Sequence, residues 1–291
     1  MQVDVPFGST QKRVRVPWYV AATYLVIAVS ASWVTFGDPE VAHMVGPIGI
    51  LIGDLVAGAL FTAHARRLEG AERRAWTLVG IGLMVAASGI AVLAIQVLAG
   101  GDPPTFGASD ACFIAGYVVI LVGIASLPHT KGDSLQRSRI ALDGIAGALS
   151  IGVLVWVLIL DPILSGLEGA PLTDRVFGTL YPLVDTAVVI VVMIVTIRRS
   201  MLRFDFRLML FSGAVLMQGL GDVSYLVAGA GERFADAEPL FVVYLAAAAL
   251  FLTTALIVDQ VPNAREYADR RVPLWSMIVP YTAAVVMVAA L

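Results

Sequence analysis

The sequence predicts an all-α protein: a polytopic membrane helix bundle of about nine transmembrane helices with a cytoplasmic amino terminus. Hydrophobic residues make up 59% of the chain and charged residues only 14%, whereas a soluble domain carries about 25% charged residues. The apolar residues form long runs of the length that crosses a bilayer, roughly 17–25 residues. Between the runs, all basic residues except Arg175 and Arg233 lie in alternate loops. Together these observations exclude a soluble domain anywhere in the chain.

Nine apolar runs are long enough to span. They follow a basic tail, residues 1–17, which we assign to the cytoplasm. Residues 18–291 are predicted to form a single transmembrane domain. The first run is long enough to span, and we interpret it as an uncleaved helix rather than a signal peptide. The runs cover residues 18–36, 43–65, 76–99, 109–128, 139–160, 176–197, 207–229, 239–258 and 273–291.

The loops alternate in charge. Arginine and lysine lie in the tail and in every second loop, whereas the other loops are acidic, as in "GDPE" and "GERFADAEP". By the positive-inside rule the basic loops and the amino terminus are cytoplasmic, and we expect a multi-pass protein of a bacterial inner membrane. The ninth run then leads outward, and the chain stops inside it at Leu291. We therefore expect a longer protein with a further span.

Some classes of protein and site are excluded by single residue types. Cys112 is the only cysteine, so the chain cannot form an intrachain disulfide or a cysteine metal cluster. Lys12 and Lys131 lie outside the apolar runs, which excludes a retinal Schiff base and hence a rhodopsin. The three histidines show no metal-ligand spacing. We predict no metal, no cofactor and no nucleic-acid partner; the bilayer is the expected surrounding.

Acidic residues within the apolar runs are the candidate functional residues. Each costs roughly 2.5–3.5 kcal/mol at a helix centre on insertion scales, so each is expected to face the bundle interior. No lysine or arginine lies in the interior of a run, so the partners of these acids must be hydroxyls, amides, the backbone, water, a cation or a proton. The five acids are Asp54, Asp110, Asp143, Asp185 and Asp222.

Helical spacing groups three of these acids with polar neighbours, because residues three, four or seven apart share a helix face. We predict a pocket in the outer half of the bundle that binds a small ligand, an ion or a proton, with Tyr244 as a further wall. Asp54 and Asp143 are assigned a structural role. The alternative to a ligand pocket is that the Asp–Tyr hydrogen bonds only hold helices together, at roughly 0.6–2 kcal/mol each. The pocket residues are Asp110, Tyr117, Tyr181, Asp185, Gln218, Asp222 and Tyr225.

One alternative function is an intramembrane aspartyl protease. The tetrapeptide G-L-G-D ends at Asp222 and resembles a motif on one of the two catalytic helices of those enzymes, and Asp185 lies on the preceding run. Tyr181, however, precedes Asp185 by four residues where that family has adjacent Tyr-Asp. The Pro-Ala-Leu motif of the last helix is absent, and the pair lies toward the outer side. The protease is the less favoured interpretation.

Four stretches resemble the membrane-embedded input regions of bacterial GGDEF-type diguanylate cyclases. "PPTFGASDACFIAGYVVILVGIASL" is similar to their P-x-x-x-D-x-x-(F/Y)-(L/I)-x-x-Y element, and "RSRIALDGIAGALSIGVLVWVLILDPIL" resembles the helix that follows. "LYPLVDTAVVIVV" resembles their Y-P-L-x-D helix. "GDVSYLVAG", followed by "FVVYLAAAALFLTTAL", resembles their D-x-x-Y helix and its successor. The match covers roughly residues 100–260, with the same order and spacing, and it gives the glycine before Asp222 no role.

The resemblance implies a sensory input module that regulates a cyclic di-GMP enzyme. The sequence contains no GGDEF or EAL motif, so we predict no enzyme activity and no catalytic residues on this chain. The cytoplasmic signalling domain would be present in cis, after Leu291, or in trans. The resemblance also implies a homodimer, because the cyclase needs two facing active sites. A cation- or proton-coupled transporter of small solutes remains the second class, since intramembrane acids without countercharges suit such coupling.

Overall fold

A computed structural model describes residues 2–3, 14–15, 18–34, 39–98, 107–127, 156–157, 161, 165, 169, 172–200, 205–230 and 241–260. Seven helices account for most of these residues, which confirms the all-helical prediction in its coarse form. In the basic tail, two strands of two residues each, β1 (Gln2–Val3) and β2 (Val14–Arg15), pair in antiparallel orientation. The helices are α1 (Trp18–Val34), α2 (Pro39–Ala65), α3 (Gly70–Leu98), α4 (Ala108–Ala125), α5 (Leu172–Ser200), α6 (Phe206–Ala230) and α7 (Phe241–Ile257).

Three of the described helical segments are long and apolar enough to cross a membrane: Gly46–Ala65, Gly70–Gln96 and Ala108–Ala125. Helix α7 is equally apolar but shorter. These segments indicate a membrane protein. The seven helices overlap seven of the nine predicted runs. The fifth run, apart from residues 156–157, and the ninth run lie outside the described residues.

Six of the helices form a closed ring. Each helix from α2 to α6 packs against the next along the chain, α7 packs against α6, and α7 also returns to contact α2. Helix α1 lies outside the ring, against α2 and α7. The apolar side chains at the centre of the ring form one continuous buried core. All six helices therefore face a shared interior.

A close crossing joins α3 to α4 through small residues in a seven-residue repeat. A Cβ on Gly82 would lie 2.7 Å from the carbonyl oxygen of Gly116, and a Cβ on Gly116 would lie 2.7 Å from the carbonyl oxygen of Gly82. Small residues at helix interfaces let two backbones approach closely, as is common in membrane bundles. The antiparallel register pairs Ala75 with Gly123, Gly82 with Gly116, and Gly89 with Ser109.

An aromatic layer fills the ring on one side of its centre. The rings of Phe61 and Trp76 stack with centroids 5.5 Å apart, and Phe211 packs edge-on against both, at 6.4 Å and 6.0 Å. The ring of Phe251 lies 5.5 Å from that of Phe211. The four side chains come from α2, α3, α6 and α7 and are buried. They fill the space between these four helices at this level.

Beyond the aromatic layer lies a buried charged cluster centred on Arg207, whose side chain is 2% exposed. Its guanidinium pairs with Asp205 at 3.0 Å and with Glu72 at 3.5 Å, and it donates a 2.9 Å hydrogen bond to the carbonyl of Val258. It also lies 5.8 Å from the Trp76 ring centroid. This cluster links α3, α6 and the end of α7 across the ring, because α3 and α6 are not neighbours.

We call the end of the bundle that holds this cluster the arginine end. Here the loop after α2 meets the residues after α7, because Arg67 pairs with Asp259 at 2.7 Å. Two of the basic loops that the sequence placed on one side of the membrane therefore lie at one end of the ring. The sequence did not predict that Arg207 is buried, because it was counted with the residues of a solvated loop.

Candidate functional site

Asp222 on α6 holds two tyrosines from neighbouring helices. The Tyr117 hydroxyl on α4 donates to Oδ2 of Asp222 at 3.2 Å, and the Tyr244 hydroxyl on α7 donates to Oδ1 at 2.8 Å. A carboxylate that accepts hydroxyl hydrogen bonds replaces part of the hydration that it loses on burial. The structure thus brings together two of the predicted pocket residues and the further wall residue Tyr244.

Gly221 makes room for one of these tyrosines. A Cβ at this position would lie 2.7 Å from the Tyr244 ring, a distance that the ring cannot tolerate without moving. Only glycine lets the ring lie flat enough against α6 for its hydroxyl to reach the neighbouring Asp222. The glycine of the G-L-G-D tetrapeptide therefore has a packing role that the sequence interpretation did not assign.

Next to this cluster lies a cavity of about 50 Å³ on the ring axis. Tyr117 belongs to both, and Gln218, one helical turn before Asp222, lines the cavity beside Gly219. Its wall is mostly apolar with a few polar groups, as is usual for small-molecule sites. All six ring helices contribute to the wall. Examples, one from each helix in order from α2 to α7, are Asp54, Ile90, Tyr117, Val189, Gln218 and Phe251.

Asp54 is the acidic residue of the cavity wall. It is 6% exposed, and its Oδ1 has no hydrogen-bond partner in the described part of the chain. It lies eleven residues before the end of α2, roughly 16 Å along the helix axis from the arginine end. Asp54 is predicted from the sequence to be structural, and its own helix offers no polar partner at helical spacing. The cavity is created by five other helices, which a single sequence cannot place.

The remaining predicted residues are distributed differently. Asp110 lies in the first turn of α4, where its Oδ2 accepts a 2.7 Å hydrogen bond from the backbone N–H of Gly107. It therefore stabilises the start of its own helix, and it does not line the cavity. The backbones of Tyr181, Asp185 and Tyr225 lie in α5 and α6, but their side chains are outside the described set, as is the whole of Asp143.

Among the residues that the structure describes, no three histidine, cysteine, aspartate or glutamate side chains are grouped so as to hold a metal ion. Cys112 is half-buried on α4, with its thiol free. The absence of a metal and a cofactor stays a prediction. The chemistry available at the cavity is that of one carboxylate, one amide and one phenol hydroxyl among aromatic and aliphatic side chains.

The fold and the cavity define a helical membrane protein with a polar site inside a ring of helices. No protein-family model, no curated protein and no solved structure matches the chain. A functional assignment therefore rests on the residues of the chain itself.

We expect Tyr244→Phe to destabilise the bundle more than Tyr117→Phe does. Each change removes one hydroxyl donor to Asp222, and such intramembrane bonds contribute roughly 0.6–2 kcal/mol. The Tyr244 bond is the shorter of the two, 2.8 Å against 3.2 Å, so we place its loss at the upper end of that range. Reversible unfolding in mixed micelles measures both, and an equal or reversed order would contradict the assigned geometry.

Proposed function

We propose that this chain is the membrane-embedded input module of a bacterial signalling protein in the inner membrane, and that it regulates a cyclic di-GMP enzyme present in cis or in trans. The observation that carries the proposal is the axial cavity, to which all six ring helices contribute wall residues. An occupant of such a cavity contacts every helix of the ring. The motif resemblance over residues 100–260 supplies the output.

The coupling follows from how ligands shift equilibria. A ligand favours one packing of the ring over another only by its difference in affinity for the two packings. Asp222, Tyr117 and Tyr244 join α4, α6 and α7 beside the cavity, while Arg207 and Glu72 join α6 to α3 at the arginine end. Helix α6 belongs to both clusters, so a shift of α6 at the cavity would reach the arginine end.

The arginine end is the natural site of output. Under the positive-inside rule it faces the cytoplasm, where cyclic di-GMP is made and degraded. A homodimer would then place two such ends side by side. This orientation and this assembly are parts of the proposal.

We expect Asp222→Asn to change the cyclic di-GMP level of the source cells by about five-fold or more, the lower range of typical coupling energies. An asparagine presents one acceptor oxygen and one NH₂ group, so one of the two tyrosine hydroxyls loses its acceptor. Asp161→Asn is the matched control, because Asp161 is exposed and lies outside the ring helices. Quantification of the nucleotide in chromosomal variants gives the result; unchanged levels in a normally inserted Asp222→Asn protein would refute the sensing role.

A cation- or proton-coupled transporter is the second candidate, and the observation that favours it is the buried carboxylate of Asp54. The aromatic layer lies between the cavity and the arginine end, and Phe251 belongs to both the layer and the cavity wall. Saturable flux into proteoliposomes, lost in Asp54→Asn, would favour transport over sensing.

The aspartyl-protease reading is weaker. Both oxygens of Asp222 accept tyrosine hydroxyl bonds, whereas a protease dyad needs two carboxylates that share a proton. Cleavage of a membrane substrate, lost when Asp185 and Asp222 are both changed to asparagine, would restore it.

A further inference from the structure

The wall of the Asp54 cavity holds a buried carboxyl group with an unpartnered oxygen. The carboxylate is buried, one of its oxygens has no hydrogen-bond partner among the described residues, and it lies in the cavity wall. The buried arginine of the described chain, Arg207, is committed to Asp205 and Glu72 beyond the aromatic layer. A buried carboxylate that keeps its charge needs a cation and hydrogen-bond donors in contact with it.

The rest of the cavity wall selects the kind of cation. Phe113, Tyr117 and Phe251 bring aromatic rings to the wall, and most other lining side chains are aliphatic. Aromatic rings attract ammonium groups and are the usual partners of alkylated ammonium ligands. Hard metal ions such as Ca²⁺ instead take six or more oxygen ligands. The combination of one carboxylate, one amide and three rings suits an organic ammonium.

Cavity size limits the number of its atoms. One water-sized sphere occupies roughly 10–15 Å³, so a cavity of about 50 Å³ has room for several such spheres. A ligand of two to four non-hydrogen atoms fits this volume. Methylammonium and dimethylammonium are of this size.

We propose that the Asp54 cavity binds a small alkylammonium cation, with its N–H groups on the Asp54 carboxylate and the Gln218 amide oxygen and its methyl groups against the aromatic rings. This inference rests on the proposed function, for which it names the signal class. It also assigns Asp54 the ligand contact that the sequence analysis reserved for other acids.

The test is calorimetric titration of the full chain in nanodiscs with methylammonium and dimethylammonium chloride. Sodium chloride at equal concentration controls for ionic strength, and methanol is a neutral molecule of the size of methylammonium. Two variants separate charge from space. Asp54→Asn removes the charge at nearly constant shape, and Gly219→Val keeps the charge but fills the cavity.

Gly219→Val has a matched control on its own helix. A Cβ on Gly219 would lie 3.8 Å from Val189, and a Cβ on Gly213 would lie 3.6 Å from Leu250, so both positions accept a side chain without meeting backbone. Gly219 lines the cavity and Gly213 does not. Gly213→Val therefore reports any general effect of valine on α6.

We expect saturable binding of both amines to the wild type and to Gly213→Val, and a loss of at least about ten-fold in affinity in Asp54→Asn and Gly219→Val. Absence of amine binding to the wild type, equal binding of methanol, or unchanged binding in both cavity variants would overturn the proposal. A cyclic di-GMP response to Asp222→Asn without amine binding would overturn this ligand class and leave the proposed function standing. Amine binding together with an unchanged cyclic di-GMP level in Asp222→Asn would support the ligand class and overturn the proposed function.

Discussion

Gly116→Leu is expected to abolish the folded bundle, and Gly116→Ala to destabilise it by about 1–3 kcal/mol, the usual cost of overpacking. A Cβ at Gly116 would lie 2.7 Å from the backbone nitrogen of Ala86 and 2.7 Å from the carbonyl oxygen of Gly82. Both are backbone atoms of α3, so the strain can be relieved only by moving one helix away from the other. That movement would separate the α3–α4 pair over its whole length, because the small-residue contacts repeat every seven residues.

Gly213 provides the control for the Gly116 variants. It lies two turns into α6, and the nearest atom to a Cβ there is a side-chain carbon of Leu250 at 3.6 Å, which is ordinary contact. Gly213→Ala is expected to be neutral or to stabilise by up to about 1 kcal/mol, since alanine is the better helix former. Unfolding in mixed micelles and yield of monodisperse protein measure both. Equal effects at the two positions would contradict the close α3–α4 crossing.

Arg207→Met is expected to destabilise the protein by about 3–5 kcal/mol, the usual result of removing one partner from a buried ion pair. The change leaves Glu72 and Asp205 without their guanidinium, removes a donor from the carbonyl of Val258, and removes the cation from the Trp76 ring. Methionine keeps most of the apolar volume of the side chain. The expected loss is therefore mainly electrostatic.

Arg67→Met is the matched control for the charge. Arg67 also pairs with an aspartate at the arginine end, at 2.7 Å, but its side chain is 70% exposed. Exposed pairs contribute about 0–1 kcal/mol, and because the partner side chain of Asp259 is only 9% exposed, we expect a change near the upper end of that range. Addition of Glu72→Leu to Arg207→Met should recover part of the loss, because it removes the uncompensated carboxylate. A larger effect at Arg67 than at Arg207 would contradict the assigned burial.

The hydrophobic runs made the helices predictable, because a segment without polar side chains can satisfy its backbone in a membrane only as a helix. Spacing on a single helix also predicted that Gln218 and Asp222 share a face. The same spacing grouped Tyr117 with Asp110, whereas in the structure the Tyr117 hydroxyl donates to Asp222. What spacing could not supply was the neighbourhood of helices. The contact of Tyr244 with Gly221 depends on α7 packing against α6.

The surroundings of Asp54 and Arg207 could not be predicted from the sequence of their own helices. Asp54 lacks a polar neighbour at helical spacing, so its own helix gives no sign of the cavity that five other helices enclose. Arg207 lies at the boundary of an apolar run, where sequence alone indicates a solvated loop. Its burial follows from Glu72 of α3 and the carbonyl of Val258 reaching it across the ring. Signals of this kind are visible only when distant parts of the chain are placed together.

The central claim is that what occupies the Asp54 cavity sets the output of the ring. The most direct measurement is cyclic di-GMP in source cells that carry Gly219→Val or Gly213→Val on the chromosome, with membrane insertion checked for both. We expect Gly219→Val, which fills the cavity, to shift the level by about five-fold or more, and Gly213→Val to leave it at the wild-type value. Equal levels in the two variants, with both proteins folded and inserted, would contradict the claim.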